Sequence, residues 1–242
     1  MITLAALQGH WRRDWLTAPG VRDDTTRVHW MQAGALYADV RVPAARPDLG
    51  DATCPADLSD EGLAALLAAE GFAGTVDLAG DVCTWHRAVN WHGRTEAVDA
   101  GRLRFTPEGA LHEAGVHADY AELWRHEAAG PAEGLRLEGE GVAAFLVTVG
   151  ARFVFGAGAP GAPATGGLAD AVRGGARPAA LRALLGERVH ALGVWEGATG
   201  AALLATNPFA EGRPILTRTE GGATWHALVH DGAARDVTLR AV

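Results

Sequence analysis

The stretch that decides the fold lies near the start of the chain and reads Val28-His29-Trp30-Met31-Gln32-Ala33-Gly34-Ala35-Leu36-Tyr37-Ala38-Asp39-Val40-Arg41-Val42. Two runs rich in apolar residues flank a short turn at Ala33-Gly34. In the second run small or branched apolar residues alternate with Tyr37, Asp39 and Arg41. A period of two is that of a β-strand whose two faces meet different surroundings. The stretch therefore predicts a β-hairpin.

The same pattern returns along most of the chain. Further strands are predicted over 75–78, 82–89, 103–105, 111–113, 120–126, 142–149, 152–155, 191–195, 201–206, 214–218, 223–230 and 236–242. Many short strands at ~8–12 residue spacing are typical of sandwiches and barrels. Hairpins that follow one another favour an up-and-down barrel, because closure leaves no exposed sheet edge. The predicted fold is all-β, an antiparallel up-and-down barrel.

Two helical insertions interrupt this pattern. Residues 59–71 begin with Ser59 as a helix N-cap, continue with Asp60 and Glu61, and end at Gly71. Residues 168–189 predict two short helices, separated by Gly174-Gly175. We expect a single barrel domain over residues 1–242. The alternative is two smaller barrels, over about 1–130 and 131–242.

Composition excludes several classes of function. The formal net charge of −8 argues against a protein that binds nucleic acid through phosphate contacts. All 21 basic residues are arginine, so a Schiff-base lysine, a pyridoxal-phosphate lysine and a P-loop lysine are all excluded. No Gly-x-Ser-x-Gly sequence occurs and Ser59 is assigned to a helix cap, which excludes a serine hydrolase.

Location and redox state follow from what the chain lacks. No apolar run approaches ~18 residues, and the first residues do not resemble a secretory signal. A cytoplasmic protein without membrane attachment is therefore expected. Cys54 and Cys83 lie 29 positions apart without a Cys-x-x-Cys motif, which predicts free thiols in a reducing compartment.

Gly9-His10-Trp11, which stands just before the first hairpin, resembles the opening Gly-x-Trp signature of lipocalins and the wider calycin group. The order Glu113-Ala114-Gly115-Val116, then Tyr120 to Trp124, is similar to that of an uncharacterised group of lipocalin-like proteins from fungi and bacteria. The resemblance implies that Trp11 closes one end of a barrel and packs against an arginine of the last strands, Arg235 or Arg240. It implies the fold and leaves the activity open. A barrel of eight to ten strands has a lumen wide enough for one small ligand.

Strand parity selects the candidate ligand-binding residues. Trp85, Arg87 and Trp91 share one face of their strand, and we place this face in the lumen because paired tryptophans are a poor outer surface in water. Trp124 and Asp39 complete the set. Arg87 then needs an anion, either Glu113, Glu122, Asp39 or an acidic group of the ligand itself. His86 faces outward.

Three functions stay open at this point. The first is a binding protein for a small hydrophobic or aromatic ligand, which arginine would also allow to be acidic. The second is a cofactor-independent isomerase, lyase or cyclase in the same lumen, with His86, Glu113, Tyr120 and Glu122 as catalytic candidates. The third is a structural or interaction protein whose barrel is filled by its own side chains.

No metal site is expected. His226 and His230 share a strand face but lie ~13 Å apart, too far to bind one zinc ion. Haem needs only one proximal histidine, so haem stays open as a cofactor and no other is expected. The expected partner is a small molecule, and the sequence does not indicate an oligomeric state.

Overall fold

The computed structural model describes residues 2–46, 48–128, 130–162 and 188–242. These residues form seventeen strands in two antiparallel sheets. The strands of the first sheet are β1 (Gly9–Ala18), β2 (Val21–Asp23), β3 (Arg27–Ala33), β4 (Leu36–Val42), β5 (Phe72–Ala79), β6 (Val82–Asn90), β7 (Asp99–Phe105), β8 (Leu111–Gly115) and β9 (Ala121–Ala128). Those of the second are β10 (Ala132–Gly139), β11 (Val142–Val149), β12 (Arg152–Gly158), β13 (Val189–Glu196), β14 (Thr199–Ala205), β15 (Pro214–Thr219), β16 (Gly222–Leu228) and β17 (Ala234–Ala241).

Each sheet closes on itself. In the first, β1 pairs with β3 on one side and with β9 on the other, and the short β2 extends only the far end of β1. In the second, β10 pairs with β17. The all-β, antiparallel barrel prediction is thus confirmed. The expected single closed sheet is wrong, because there are two eight-stranded barrels, and the chain passes from one to the other between β9 and β10. A division into two domains at this point stays a prediction.

The barrels pack side by side through the outer faces of their walls. Ala38, Val40 and Val42 of β4 lie in one buried apolar cluster with Phe145 and Val147 of β11. Every residue of β11 is buried, since alternate side chains face its own barrel and the neighbouring one. This explains why residues 142–149 are apolar on both faces of the strand.

One contact between the barrels requires glycine. A Cβ atom on Gly156 of β12 would lie 2.8 Å from the His190 ring and 2.9 Å from Cβ of Ala73. The side chain of His190 itself is fully buried at this contact. Strand β12 has glycine at positions 156 and 158, where the missing side chains let the walls of the two barrels approach.

The helices are short. Helix α1 spans Leu4–Leu7 and helix α2 spans Asp60–Leu66. The Ser59 side chain accepts a hydrogen bond from the Gly62 amide (3.1 Å), which confirms the predicted N-cap. The helix ends before Gly71 because the backbone of Glu70 pairs with that of Arg41. The second predicted insertion, 168–189, lies outside the described residues except for its last two positions, where Val189 begins β13.

Trp11 is buried inside the first barrel. Its indole Nε1 donates to the Leu7 carbonyl of α1 (2.8 Å), and its ring lies 4.3 Å from that of His126 on β9. Leu7 belongs to the same interior cluster. The expected partners Arg235 and Arg240 are wrong, because both are exposed on β17 of the second barrel. Trp11 contacts the last strand of its own barrel instead.

We expect Trp11→Ala to lower the free energy of unfolding by ~3–5 kcal/mol, because a large buried ring is replaced by a cavity. Urea denaturation followed by far-ultraviolet circular dichroism measures the change. The control is Trp15→Ala on the same strand, whose ring is only partly buried and whose loss should cost about 1 kcal/mol. Equal losses in the two variants would show that Trp11 does not hold the barrel closed.

Candidate functional site

The lumen of the first barrel contains a cavity of about 600 Å³, its open mouth included. Aromatic rings, carboxylates and guanidinium groups line it together. The lining residues are Leu16, Trp30, Tyr37, Asp39, Arg41, Phe72, Trp85, Arg87, Asp99, Glu113, Tyr120, Glu122 and Trp124.

Strand alternation explains the polar lining on β4. The face that carries Ala38, Val40 and Val42 is buried against the second barrel. Tyr37, Asp39 and Arg41 are therefore directed to the lumen, where all three line the cavity. The residues on both faces of β4 are largely buried. The alternation therefore separates the contact with the second barrel from the lumen, and neither face is a solvent face.

A β-bulge divides the predicted face of β6. Gly74 of β5 pairs with Arg87, but the next residue back, Ala73, pairs with Val89, which leaves Ala88 as an extra residue. Trp85 and Arg87 keep the lumenal parity and line the cavity. The lumenal placement of Trp91 is wrong, because the bulge sends it to a cluster with Leu63 and Leu66 of α2.

His86 lies outside the barrel. Its side chain is 53% exposed, and its Nε2 lies 2.8 Å from the Asp77 carboxylate on the neighbouring strand. The outward orientation matches the parity argument. The position removes His86 from any chemistry in the lumen.

Three arginines form the ion pairs that organise the lumen. Arg41 donates to Asp39 (2.7 Å), Arg13 donates to Glu122 (2.8 Å), and the Arg41 guanidinium also lies 3.4 Å from Glu122. Asp39 additionally accepts a hydrogen bond from the Phe72 amide (2.9 Å). Burial raises the pKa of Asp39, which the Arg41 charge opposes. Such groups stay charged in an interior only because each has a partner.

The third arginine, Arg87, pairs with Asp99 of the neighbouring strand β7. Arg87 Nη2 and Nε donate to the same Asp99 oxygen, at 2.6 and 3.0 Å, and the guanidinium lies 3.7 Å from the centre of the Phe72 ring. The last residue pair between β6 and β7 is Trp85 with Asp99, so this ion pair lies at the end of their pairing. Trp85, Arg87 and Asp99 also line an outer groove, so they separate it from the lumen.

Glu113 differs from the other carboxyl groups. Its Oε1 accepts a hydrogen bond from the Tyr120 hydroxyl (2.7 Å) and its Oε2 accepts one from Trp124 Nε1 (3.1 Å). Within the described part of the chain, no arginine or histidine nitrogen lies within 4.0 Å of this carboxyl group. Burial and the charge of Glu122, its cross-strand partner, raise the pKa of Glu113 to about 8. Burial and Glu113 in turn raise the pKa of Tyr120.

Two further polar atoms in the lining differ from the paired groups. Among the residues that the structure describes, the Tyr37 hydroxyl and the Trp30 Nε1 have no hydrogen-bond partner, and both are buried. Buried polar groups without a partner cost free energy, and in native proteins they commonly mark the place of a water molecule or a ligand.

Seven of the nine candidate residues come together in this one cavity: Asp39, Trp85, Arg87, Glu113, Tyr120, Glu122 and Trp124. His86 and Trp91 do not. Tyr37 and Arg41 also line the cavity and were not predicted as site residues, although they share the parity of Asp39. Asp99, Trp30 and Phe72 were not predicted either, because their place in the lining depends on which distant strands are neighbours.

The described residues contain no group of three or more His, Cys, Asp or Glu side chains that could hold a metal ion. None of the described residues that line the cavity is a histidine, so the lumen offers no proximal ligand to haem. In this part of the chain no helix has the length and apolar character needed to cross a membrane.

Comparison with known proteins supports the architecture. No family model matches the sequence, and the search of curated proteins finds no match. The structure is similar to the crystal structure of an uncharacterized protein from Saccharomyces cerevisiae, with a TM-score of 0.58 and 9% sequence identity over 98% of both chains. At this identity the similarity shows the fold alone.

We expect the free energy of unfolding to depend on pH through Glu113. The raised pKa means that the folded protein holds a proton that the unfolded chain releases, so this group's contribution to stability is lost as the pH rises from about 4.5 to about 8. Glu113→Gln cannot ionise and should remove that loss. The measurement is urea denaturation between pH 4.5 and 8.5.

The informative quantity is the difference between the wild type and the variant, because burial lowers the pKa values of His10 and His29 and gives the opposite trend. Glu133→Gln, at an exposed position of β10, is the control and should follow the wild type. Parallel curves for Glu113→Gln and the wild type would contradict the assignment.

Proposed function

We propose that this chain is a lipocalin-like binding protein that holds one small hydrophobic or aromatic molecule in the lumen of its first barrel. The observation that carries the proposal is the lumenal cavity itself, which combines aromatic walls with a few buried polar atoms that have no partner. A mainly aromatic lining with a small number of placed polar groups is typical of small-molecule sites.

The contrast between the barrels supports this assignment. The interior of the second barrel is occupied by a large apolar cluster that includes Phe153, Phe155, Trp195 and Trp225. That interior fits a purely structural role. The polar and aromatic lumen of the first barrel does not resemble such a core, so we place the ligand there.

The ion pairs disfavour an acidic ligand. Arg41 and Arg87 are each engaged by a carboxylate, Asp39 and Asp99. A ligand carboxylate would have to displace one of these and leave it buried without a partner, which costs free energy. The cytoplasmic location is also part of the proposal, and the buried free thiols of Cys54 and Cys83 support a reducing compartment.

A second candidate function is proton transfer without a cofactor. Glu113 and Glu122 lie opposite each other on β8 and β9, and among the described residues arginine pairs with Glu122 but not with Glu113. Two carboxyl groups in different surroundings are a common arrangement for an acid and a base. An isomerase of this kind would use the arginine-paired Glu122 to accept a proton and Glu113 to donate one.

The binding proposal is tested with N-phenyl-1-naphthylamine, an uncharged aromatic reporter whose emission rises in apolar sites. We expect one reporter per chain and energy transfer from the lumenal tryptophans. Trp85→Ala should weaken binding about tenfold, since loss of one aromatic wall costs ~1–2 kcal/mol.

The matched control is His86→Gln, the next residue along β6, which faces solvent and should leave reporter affinity unchanged. If the wild type does not bind the reporter, the result would favour a structural or interaction protein whose barrel is filled by its own side chains. An equal effect of the two substitutions would place the reporter outside the lumen.

Proton transfer is tested with phenylacetone in deuterium oxide. If Glu122 removes a proton from the carbon between ring and carbonyl, that carbon exchanges hydrogen for deuterium faster with protein than in buffer. Mass spectrometry measures the exchange, which Glu122→Gln should abolish. An exchange rate equal to that of buffer would exclude this reaction for the substrate tested.

A further inference from the structure

With every carboxyl group ionised, the charges of the described cavity lining would not balance. The lining contains four carboxyl groups, on Asp39, Asp99, Glu113 and Glu122, and two guanidinium groups, on Arg41 and Arg87. Arg13, which is buried behind Glu122 and also pairs with Asp23 outside the lining, supplies a third positive charge. One lining carboxyl group is therefore left without a counter-charge when it ionises.

The contacts identify that group as Glu113. Arg41 pairs with Asp39, Arg87 with Asp99, and Arg13 with Glu122. Glu113 is held instead by two neutral donors, the Tyr120 hydroxyl and the Trp124 indole. These donors fix the position of both carboxyl oxygens but provide no positive charge.

The surroundings of Glu113 suit a cation. The side chains of Trp30, Trp85, Trp124 and Phe72 line the same cavity, and the faces of aromatic rings attract positive charge. Arginine already uses this property here, since the Arg87 guanidinium lies 3.7 Å from the centre of the Phe72 ring. The buried hydroxyl of Tyr37 has no hydrogen-bond partner among the described residues, so its oxygen can accept a hydrogen bond from an N–H group.

We propose that the ligand of the first barrel is a small organic amine, bound as its ammonium ion by Glu113 while its aromatic or apolar body packs against the tryptophans. This inference rests on the proposed binding function and names the ligand class of that same site. The ammonium group supplies the positive charge that Glu113 needs as a partner when it ionises. The unpaired Trp30 Nε1 donates to a hydrogen-bond acceptor on the body of the amine or to a water molecule beside it.

The same contacts discriminate against other classes. An anion would face Glu113 and three carboxylates whose arginines are already engaged. An uncharged molecule of the same shape would use the ring surfaces but would gain no charge-assisted hydrogen bond at Glu113, which is about twice as strong as a neutral one. Selectivity among molecules of equal size thus depends on charge.

Three probes of similar size, each with one phenyl ring, separate these classes. They are 2-phenylethylamine, which is positively charged at pH 7, 2-phenylethanol, which is uncharged, and phenylacetate, which is negatively charged. Each is titrated against the wild-type protein, with lumenal tryptophan emission and displacement of N-phenyl-1-naphthylamine as the two readouts. We expect the amine to bind at least about tenfold more tightly than the alcohol, and the acid to bind most weakly, as a charge-assisted contact predicts.

Proton release gives a test that needs no variant. Since burial favours the neutral form of Glu113 at pH 7, binding of the ammonium ion should ionise this group and release a proton to the buffer. Calorimetric titration at pH 7 in phosphate and in Tris measures that proton from the difference in heat. The alcohol should release none. Equal proton release by amine and alcohol would contradict the role of Glu113.

Glu113→Gln should lower the affinity for the amine about tenfold and leave the affinity for the alcohol within about threefold. The matched control is Asp77→Asn, a carboxylate outside the barrel that should change neither affinity. Circular dichroism of both variants verifies the fold.

The outcomes separate this inference from the function on which it rests. If N-phenyl-1-naphthylamine and all three probes fail to bind, the binding function is wrong. If the reporter binds but the alcohol or the acid equals the amine, the site exists and the amine class is wrong. If the preference for the amine persists in Glu113→Gln, another carboxylate binds the cation.

Discussion

The packing of the two barrels against each other determines the character of both faces of strand β4. Strand β4 has no solvent face, since one side packs against the second barrel and the other side lines the lumen. The interface takes the small apolar residues Ala38, Val40 and Val42. By strand alternation the lumen then receives Tyr37, Asp39 and Arg41. The polar character of the cavity is in this sense a consequence of how the barrels associate.

Polar residues that are placed inside a barrel have to satisfy one another, and arginine does so three times here. Each guanidinium meets a carboxylate, and those of Arg41 and Arg87 also lie over the ring of Phe72. A guanidinium provides several donors in one plane and stacks on aromatic rings, which an ammonium group on a flexible stem does less well. Because the chain has no lysine, arginine is the residue that supplies such buried cations.

Local pattern predicted local features well. The bounds of β4 and β11 and the cap of α2 agree with the predictions, because alternation and capping involve residues near in sequence. Strands β1 and β10 were not predicted, since Gly9–Ala18 and Ala132–Gly139 lack regular alternation. The number of barrels and the partner of Arg87 depend on which distant strands pair. The bulge at Ala88 reversed the parity of Trp91, and a single extra residue leaves no mark in the pattern.

Closure of each barrel joins the first strand of its half of the chain to the last. Trp11 of β1 pairs with His126 of β9, and this pairing of the first strand with the last closes the first sheet. The sheet therefore cannot close during synthesis until nearly 130 residues have left the ribosome. The second barrel begins only afterwards, at Ala132. A nascent first barrel therefore exposes the outer face of β4 to water until its partner has folded. The order of translation makes that apolar face the part of the molecule most exposed to aggregation before folding is complete.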